Sequence, residues 1–206
     1  MSKNVNRKTA AKGKIVRRLG SNIFGNAKYD KLLSKKATPP GGAPRRRAKQ
    51  SIYGLQLQEK QKIRLAYGIS EKQLRAVYDA AKKMEGVTGS NMLVILESRL
   101  DNVVYRLGYC ATRPQARQLV RHGHFVVNGR KVDMPGVIVK AGDVIAVREA
   151  SNDLKVIKEN LEASAGVSKP AWLTLENGKG TIVRMPEREE IPNIADEQVV
   201  VEFYSK

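Results

Sequence analysis

Apolar side chains recur at helical spacing between residues 51 and 122, and this pattern predicts four consecutive helices. The first runs from Ser51 to Tyr67 and ends at Gly68. The second opens at Ser70 and Gln73, which stand at capping-box spacing, and it ends before Gly86. Its predicted apolar face consists of Leu74, Val77, Ala81 and Met84.

A longer apolar stripe predicts a third helix, which is capped by Ser90 and closed by Gly108. The fourth helix has a capping-box pair at Thr112 and Gln115 and runs from Arg113 to about His122. The stripe of the third helix consists of Leu93, Leu96, Leu100, Val103, Val104 and Leu107.

Beyond residue 122 the apolar runs become short, as is typical of strands. Asn128-Gly129 separates two such runs, residues 125–127 and 130–132, and predicts a β-hairpin. Further strands are predicted at 137–139 and 144–147, a helix at 151–165, and a second hairpin at 172–183, whereas residues 198–204 fit a strand or a short helix. The expected fold class is α+β, with a basic N-terminal arm, a small helical domain and an inserted domain in which two helices pack on a short antiparallel sheet.

The chain is strongly basic, with 38 Lys and Arg against 20 Asp and Glu and a net charge of +18. Residues 1–50 carry +14 of this charge, residues 51–150 carry +7, and residues 151–206 carry −3. Because residues 1–50 show little hydrophobic periodicity, we expect them to be mobile until a polyanion neutralises them. The pattern indicates a nucleic-acid partner more than a membrane surface, which would require a clear amphipathic face.

The fourth helix has a cationic face formed by Arg113, Arg117 and Arg121, which follow one another at intervals of four residues. These arginines have no carboxylate at pairing distance in the local sequence, so a purely structural, solvated face is the weaker interpretation. The helix and the following hairpin therefore predict a platform that binds a phosphate backbone. A second face, formed by Ala116, Leu119 and Val120, is expected to pack on the core.

Other classes of protein are disfavoured by simple features of the sequence. Cys110 is the only cysteine, so an internal disulfide and a multi-cysteine zinc site are excluded, and we expect a cytosolic protein with Cys110 as a small buried residue. No apolar run approaches the roughly 20 residues that span a bilayer. His122 and His124 have no ligand partner at metal-binding spacing. No cofactor and no membrane contact are expected.

The sequence resembles the uS4 family of bacterial small-subunit ribosomal proteins over residues 45–206. Many members carry an N-terminal zinc-binding cysteine cluster, but residues 1–50 contain no cysteine or histidine, so the chain resembles the zinc-free branch. The matching segments are Arg99–Gly108, Ala111–Arg113, Gln115–Val120 and Val127–Gly129 in the RNA-binding domain, and Tyr53–Leu57, Glu59–Lys62, Pro170–Leu173 and Val201–Lys206 outside it.

This resemblance implies a structural constituent of the ribosome that binds the 5′ domain of 16S ribosomal RNA directly and nucleates assembly of the small-subunit body. It also implies contacts with small-subunit proteins five and twelve and with messenger RNA near the entry path, an influence on translational accuracy, and in some members repression of their own operon. The domains expected on this basis are an arm (1–50), a helical domain (51–96 with about 186–206) and a second domain (97–185) that contains the RNA-binding module at about 97–158.

Candidate RNA contacts fall into a first group on the fourth helix and hairpin, a second group at residues 51–64, and a third in the arm. For Tyr53 a core role is as plausible as contact with RNA. The acidic residues near the C-terminus, Glu187, Glu189, Glu190, Glu197 and Glu202, are expected to contact protein. The full set of candidate RNA contacts is Arg7, Lys8, Lys12, Lys14, Arg17, Arg18, Arg45, Arg46, Arg47, Lys49, Ser51, Tyr53, Lys60, Lys62, Arg64, Arg106, Thr112, Arg113, Gln115, Arg117, Gln118, Arg121, His122, Asn128, Arg130 and Lys131.

Two alternatives belong to other classes. A pseudouridine synthase or tyrosyl-tRNA synthetase can carry a similar RNA-binding domain beside a separate catalytic domain, but the remainder of this sequence is expected to be a basic arm and short helices, and it shows no phosphate-binding Gly-rich loop. Asp101 is the most suggestive acidic residue, yet it stands beside Arg99 and is expected to form a structural pair, so no enzymatic activity is predicted. The other alternative is a free RNA-binding protein that acts on stalled ribosomal particles.

Overall fold

The computed structural model describes residues 11–41, 51–164 and 166–205. These residues form two compact units. The first combines the described residues up to 66 with those from 194 onward, and the second spans 67–193. In sequence, the second unit is therefore inserted between two segments of the first. The domain boundaries expected at residues 51, 97 and 186 stay predictions.

Helices dominate the described chain, and a single antiparallel sheet lies in the second unit. Short 3₁₀ turns occur at Glu149–Ser151 and Arg188–Glu190. In chain order the elements are α1 (Lys12–Leu19), α2 (Ala27–Lys35), α3 (Ile52–Ala66), α4 (Glu71–Ala81), α5 (Thr88–Glu97), α6 (Leu100–Arg106), α7 (Arg113–Arg121), β1 (Phe125–Val127), β2 (Arg130–Val132), β3 (Val144–Val147), α8 (Lys155–Ser164), β4 (Leu173–Glu176), β5 (Lys179–Ile182) and α9 (Glu197–Ser205).

Residues 11–41 lie in the segment expected to be a mobile arm, but they form α1, α2 and a packed loop. Val16 and Leu19 of α1 and the following Ile23 are buried. The side chain of Asn26 caps α2 by accepting a hydrogen bond from the N–H of Lys28 at 2.9 Å. The premise of little hydrophobic periodicity is wrong for these residues, because apolar side chains at positions 16, 19 and 23 are enough for one amphipathic face, whereas mobility before a polyanion binds stays a prediction.

The C-terminal segment, which the sequence left between strand and helix, forms α9. It packs along α3, and Val200 and Tyr204 are buried in this contact. The rings of Tyr53 and Phe203 lie 5.7 Å apart, and the ammonium group of Lys60 lies 4.5 Å from the centroid of Phe203. Tertiary packing against α3 accounts for the helix, because its sequence alone is rich in β-branched residues.

The second unit begins with α4, whose predicted capping box is confirmed. The N–H of Gln73 donates to Oγ of Ser70 at 3.3 Å, and the N–H of Ser70 donates to Oε1 of Gln73 at 3.0 Å. The helix ends at Ala81, so the predicted core position of Met84 is wrong, and that side chain is exposed. Tyr78 of α4, which the predicted apolar face did not include, is buried.

The third predicted helix is in fact two helices, α5 and α6. Val87 rather than Ser90 is the N-cap of α5, and the chain is extended at Arg99. There the N–H of Leu100 donates to the carbonyl of Val137 at 2.8 Å, and Arg99 forms a β-bridge with Ile138. The predicted continuous helix is wrong because residues 134–139, distant in sequence, bind the backbone at this point.

The sheet has the strand order β2-β1-β3-β5-β4, and all of its neighbouring strands are antiparallel. Both predicted hairpins are confirmed, and Asn128 and Asn177 adopt positive φ values of 50° at their turns. Residues 137–139 contribute the isolated bridge at Ile138 and no named strand, so the strand predicted there is wrong.

The core of the second unit lies between the sheet and helices α6 and α7. Val104 and Val120 from the helices and Phe125 and Ile145 from the sheet are fully buried in one cluster. Trp172, the only tryptophan of the chain, belongs to the same cluster. The predicted α+β class, with two helices on a short antiparallel sheet, is confirmed. Among the described residues, no helix is long and apolar enough to cross a membrane.

Candidate nucleic-acid interface

The predicted cationic helix is α7, and local sequence fixes its first turn. The hydroxyl of Thr112 accepts a hydrogen bond from the N–H of Gln115 at 3.4 Å. The side chain of Gln115 binds the N–H of Ala111 at 2.9 Å instead of that of Thr112, so only half of a capping box forms. Ala116 and Val120 are fully buried and hold the helix on the core.

Arg113, in the first turn of α7, is directed into the protein. Its Nε donates a hydrogen bond to Oδ1 of Asn102 at 2.7 Å. Its guanidinium carbon lies 4.9 Å from the ring centroid of Tyr67 and 4.8 Å from that of Tyr105. Only 12% of the Arg113 side chain is exposed, so its main role is packing inside the protein rather than contact with a ligand.

Glu97 at the end of α5 is the carboxylate around which these side chains gather, and it is almost fully buried. The hydroxyl of Tyr67 donates to it at 2.6 Å and Nδ2 of Asn102 at 2.7 Å. Arg106 donates through Nε and Nη2 at 2.9 and 2.8 Å, and Nη2 of Arg113 lies 3.7 Å away. We call these five residues the Glu97 cluster.

The electrostatics of the Glu97 cluster favour the ionised carboxylate. Burial raises the pKa of Glu97, but the hydrogen bonds and charge of Arg106 and the charge of Arg113 outweigh burial, so the pKa lies below its ordinary value. Burial, followed by the charge of Glu97, raises the pKa of Tyr67 well above its ordinary value. Tyr67 therefore stays protonated and remains a hydrogen-bond donor.

The depressed pKa of Glu97 predicts how stability depends on pH. A group whose pKa is lower in the folded state stabilises fully above its unfolded pKa, about 4.3 for Glu, and loses that effect as pH falls through the folded value. We expect the difference in unfolding free energy between the wild type and Glu97→Gln to be constant from about pH 7 to 5 and to shrink below about pH 4. Urea unfolding followed by Trp172 fluorescence measures it, and a difference that is independent of pH would contradict the assignment.

A second buried ion pair lies beside the cluster. Arg99 donates to both carboxylate oxygens of Asp101, at 3.1 and 2.8 Å, which confirms the expected structural pair. Arg117 on α7 donates to the carbonyl of Gly68 at 2.9 Å and lies 3.9 Å from Asp101. The premise that the arginines of α7 have no carboxylate partner is therefore wrong for Arg113 and Arg117.

The outward-facing cations lie at the end of α7 and on the first hairpin. Arg121, Arg130 and Lys131 are exposed cations, and His122, next to Arg121 in sequence, is also exposed; we call these four residues the exposed cationic face. The side chain of Lys131 passes directly over Gly123, where a Cβ would collide with its Cε, so the hairpin and the end of α7 lie close together. The face therefore presents cations from two elements whose backbones pack on one core.

The remaining candidates in this region have other partners. Asn128 accepts a hydrogen bond from the N–H of Val144 at 2.9 Å and donates to Asp143 at 2.8 Å, which fixes the hairpin turn. Gln118 is exposed on α7. Thr112 and Gln115 belong to the helix cap described above, and Arg106 to the Glu97 cluster.

The two histidines differ in their surroundings. His122 is the C-cap of α7, as predicted, and His124 lies 3.0 Å from the hydroxyl of Ser151. Burial, with the nearby charges of His122 and Arg148, lowers the pKa of His124 and favours its neutral form. Within the described residues no group of three or more His, Cys, Asp or Glu side chains is placed to hold a metal ion. Cys110 is buried, and burial raises its pKa to about 12.

In the first unit, the candidates on α1 differ in whether other groups of the protein contact their side chains. Lys14 and Arg18 are exposed one turn apart. Arg17 donates to the carbonyls of residues 38 and 39 at 2.9 and 3.3 Å, and Lys12 lies over the ring of Phe24 at 5.3 Å. Six other candidates lie outside the described residues: Arg7, Lys8, Arg45, Arg46, Arg47 and Lys49.

The candidates on and beside α3 include exposed residues, residues paired with a neighbour, and one buried residue. Ser51 and Tyr53 are exposed, with 60% of Tyr53 accessible, which favours a surface role over a core role. Lys62 pairs with Glu59 at 2.6 Å, and Arg64 donates to Gln61 at 2.8 Å. Lys60 is buried against Phe203 and Tyr204, so its contact with RNA is the prediction with the weakest structural support.

The acidic candidates form two groups. In the second unit, Arg184 pairs with Glu190 at 2.6 Å and with Glu187 at 3.1 Å, and Glu189 is exposed. In the first unit, Glu202 accepts a hydrogen bond from Gln56 at 3.2 Å, and Glu197 lies in the first turn of α9. Contact of these residues with another protein stays a prediction.

Sequence reasoning missed the residues that support α7, namely Tyr67, Glu97 and Asn102. One signal was available for Glu97, because a carboxylate inside an apolar helical stripe must be paired when it is buried. Its partners come from three other points in the chain, so their identity required the tertiary structure.

Family models match two adjoining segments of the chain. Residues 7–97 match the model described as ribosomal protein S4/S9 N-terminal domain, and residues 98–145 match the S4 domain. The second match covers the Asp101 pair, α7, the first hairpin and the start of β3, and it includes the exposed cationic face.

Curated relatives are similar over nearly the whole length. The chain is 48% identical over 208 residues to the small ribosomal subunit protein uS4 of Borrelia recurrentis, covering 98% of this chain and 99% of the relative. It is 50% identical over 206 residues to the protein of the same name from a Geobacter species, covering 97% and 99%. The chain therefore belongs to the uS4 family of small-subunit ribosomal proteins, a structural and non-enzymatic family whose members contain an S4 RNA-binding domain.

Proposed function

We propose that this protein is a structural constituent of the small ribosomal subunit that binds the 5′ domain of 16S ribosomal RNA directly and nucleates assembly of the subunit body. The observation that carries the proposal is the exposed cationic face, which joins the end of α7 to the first hairpin. The net charge of +18 supports a polyanionic partner. Membership in the uS4 family supports the ribosome as its location.

Phosphate contacts supply most of the affinity in this proposal. Each neutralised phosphate releases counterions, so binding weakens as salt concentration rises. Folded RNA is recognised largely through its shape and its sugar-phosphate surface, because the deep groove of A-form helices excludes side chains. A rigid set of cations suits this type of recognition, since it matches phosphates at fixed positions.

The proposal extends to neighbours within the subunit. Exposed carboxylates such as Glu189 disfavour contact with RNA and favour a protein neighbour, for which small-subunit proteins five and twelve are the candidates. A position beside the messenger entry path and an influence on translational accuracy follow from those neighbours. Repression of its own messenger is a further part of the proposal, since the same cationic face would bind a messenger fold that presents similar phosphate positions.

Reconstitution of the small subunit tests the role in assembly. With the protein added first to naked 16S RNA, we expect stoichiometric binding and protection of 5′-domain nucleotides, followed by assembly of the body. With the protein omitted, we expect the 5′-domain particles to be incomplete. Normal particles without it, or substoichiometric association with finished subunits, would favour the alternative of a free RNA-binding protein.

A further inference from the structure

We infer that Glu97 is a positioning residue for RNA recognition: it fixes the N-terminal end of α7 and so sets where the exposed cationic face lies. This inference rests on the proposed function. Glu97 is buried and cannot contact RNA itself. Its effect is transmitted through the partners that it holds on α6 and α7 and through Tyr67.

The contacts of Glu97 join α5, α6 and α7. Glu97 ends α5, Asn102 and Arg106 belong to α6, and Arg113 begins α7. Asn102 occupies the central position, because its Nδ2 donates to Glu97 at 2.7 Å while its Oδ1 accepts from Arg113 at 2.7 Å. Nδ2 of Asn102 also donates to the backbone carbonyl of Glu97 at 3.0 Å, so the carboxylate and the backbone of Glu97 together orient the Asn102 amide and, through it, Arg113.

The constraint at Arg113 reaches the RNA-facing end of α7 because a helix is stiff. Arg121 follows eight residues later, about 12 Å along the helix axis. Ala116 and Val120 fix the side of α7 that faces the core, but apolar contacts alone tolerate small shifts along the helix axis. The directional hydrogen bond from Arg113 to Asn102 restricts that freedom, since it requires donor and acceptor to align.

Positioning predicts an effect on specificity rather than on overall charge attraction. Binding to any RNA depends mainly on the number of cations, whereas binding to one folded RNA also depends on where those cations lie. Loss of the Glu97 carboxylate removes no surface cation and changes only where the cations at the end of α7 lie. It should therefore reduce preference for the correct RNA without reducing general affinity.

The test compares full-length wild type with Glu97→Gln, using a 5′-domain transcript and an unrelated structured transcript of equal length. Glu162→Gln is the matched control, because it makes the same charge change at an exposed position of α8 in the same unit. We expect Glu97→Gln to lower the ratio of the two affinities about 10-fold, with unchanged affinity for the unrelated transcript relative to Glu162→Gln. The Nε–H resonance of Arg113 in a proton–nitrogen spectrum should exchange faster in Glu97→Gln, because the Asn102 amide that accepts its hydrogen bond is then held less firmly.

Each other outcome has a distinct meaning. An affinity ratio equal to that of Glu162→Gln would overturn the inference, and equal weakening for both transcripts would reduce Glu97 to a purely structural role. If the wild type itself showed no preference for the 5′ domain, the proposed function would fail first. If Glu97→Gln does not fold, Tyr67→Phe carries the same test, because it removes one hydrogen bond to Glu97 and keeps the ring beneath Arg113.

Discussion

Replacing Arg121, Arg130 and Lys131 together by Ala lowers the affinity for the 16S 5′ domain about 100-fold while the protein stays folded. These side chains are exposed, so their removal costs little stability. Each lost phosphate contact reduces the slope of log affinity against log salt by about 0.7–0.9, which gives a total reduction of about 2–3. Filter binding or fluorescence anisotropy at several salt concentrations measures both quantities.

A control with the same loss of charge separates a defined interface from diffuse attraction. Lys72, Lys82 and Lys83 are also exposed and lie in the second unit, on α4 and just beyond it. Their joint replacement by Ala should change affinity far less than the first variant. Equal loss of affinity and slope in the two triple variants would show that position on the surface is irrelevant, and would contradict the assignment of the exposed cationic face.

The second large effect is on stability. Arg113→Ala lowers the unfolding free energy of the second unit by about 2–4 kcal/mol, because it removes a buried charged hydrogen bond and two cation–π contacts. It also leaves Oδ1 of Asn102 without the hydrogen-bond donor from Arg113, and it removes one of the positive charges that stabilise the buried Glu97 carboxylate. Urea unfolding followed by the fluorescence of Trp172, which is buried in the same unit, measures the change.

Arg75 provides the comparison for Arg113. It also has a carboxylate partner, Asp79 at 3.3 Å, and an aromatic neighbour, Tyr78 at 5.7 Å, but 54% of its side chain is exposed. Exposed pairs contribute little, so Arg75→Ala should change stability by less than about 0.5–1 kcal/mol. A loss for Arg113→Ala no larger than that of Arg75→Ala would show that Arg113 is an ordinary surface residue.

Local sequence signals predicted most of the fold. The capping pair of Ser70 and Gln73 and the turns at Asn128 and Asn177 act over a few residues, and the structure has each of them. The failures occur where distant residues decide the outcome. The break at Arg99 depends on residues 134–139, and the helical form of residues 197–205 depends on packing against α3.

The candidate site was predicted only in part for a geometric reason. Residues four apart on a helix are separated by about 40° of rotation, so Arg121 is turned about 80° from Arg113. Arg113 therefore belongs to the buried Glu97 cluster and Arg121 faces solvent, although the spacing suggested one common face. Periodicity places residues on a helix surface, but it does not reveal which neighbours cover that surface.

The central claim is that a prefolded cationic surface at the end of α7 and on the first hairpin binds ribosomal RNA. Protein–RNA crosslinking on the complex with the 16S 5′ domain measures this most directly. Mass spectrometry of the crosslinked peptides should find RNA attached within residues 117–131, and the triple variant at Arg121, Arg130 and Lys131 should lose those crosslinks. Crosslinks that avoid residues 117–131 in a saturated, specific complex would contradict the account.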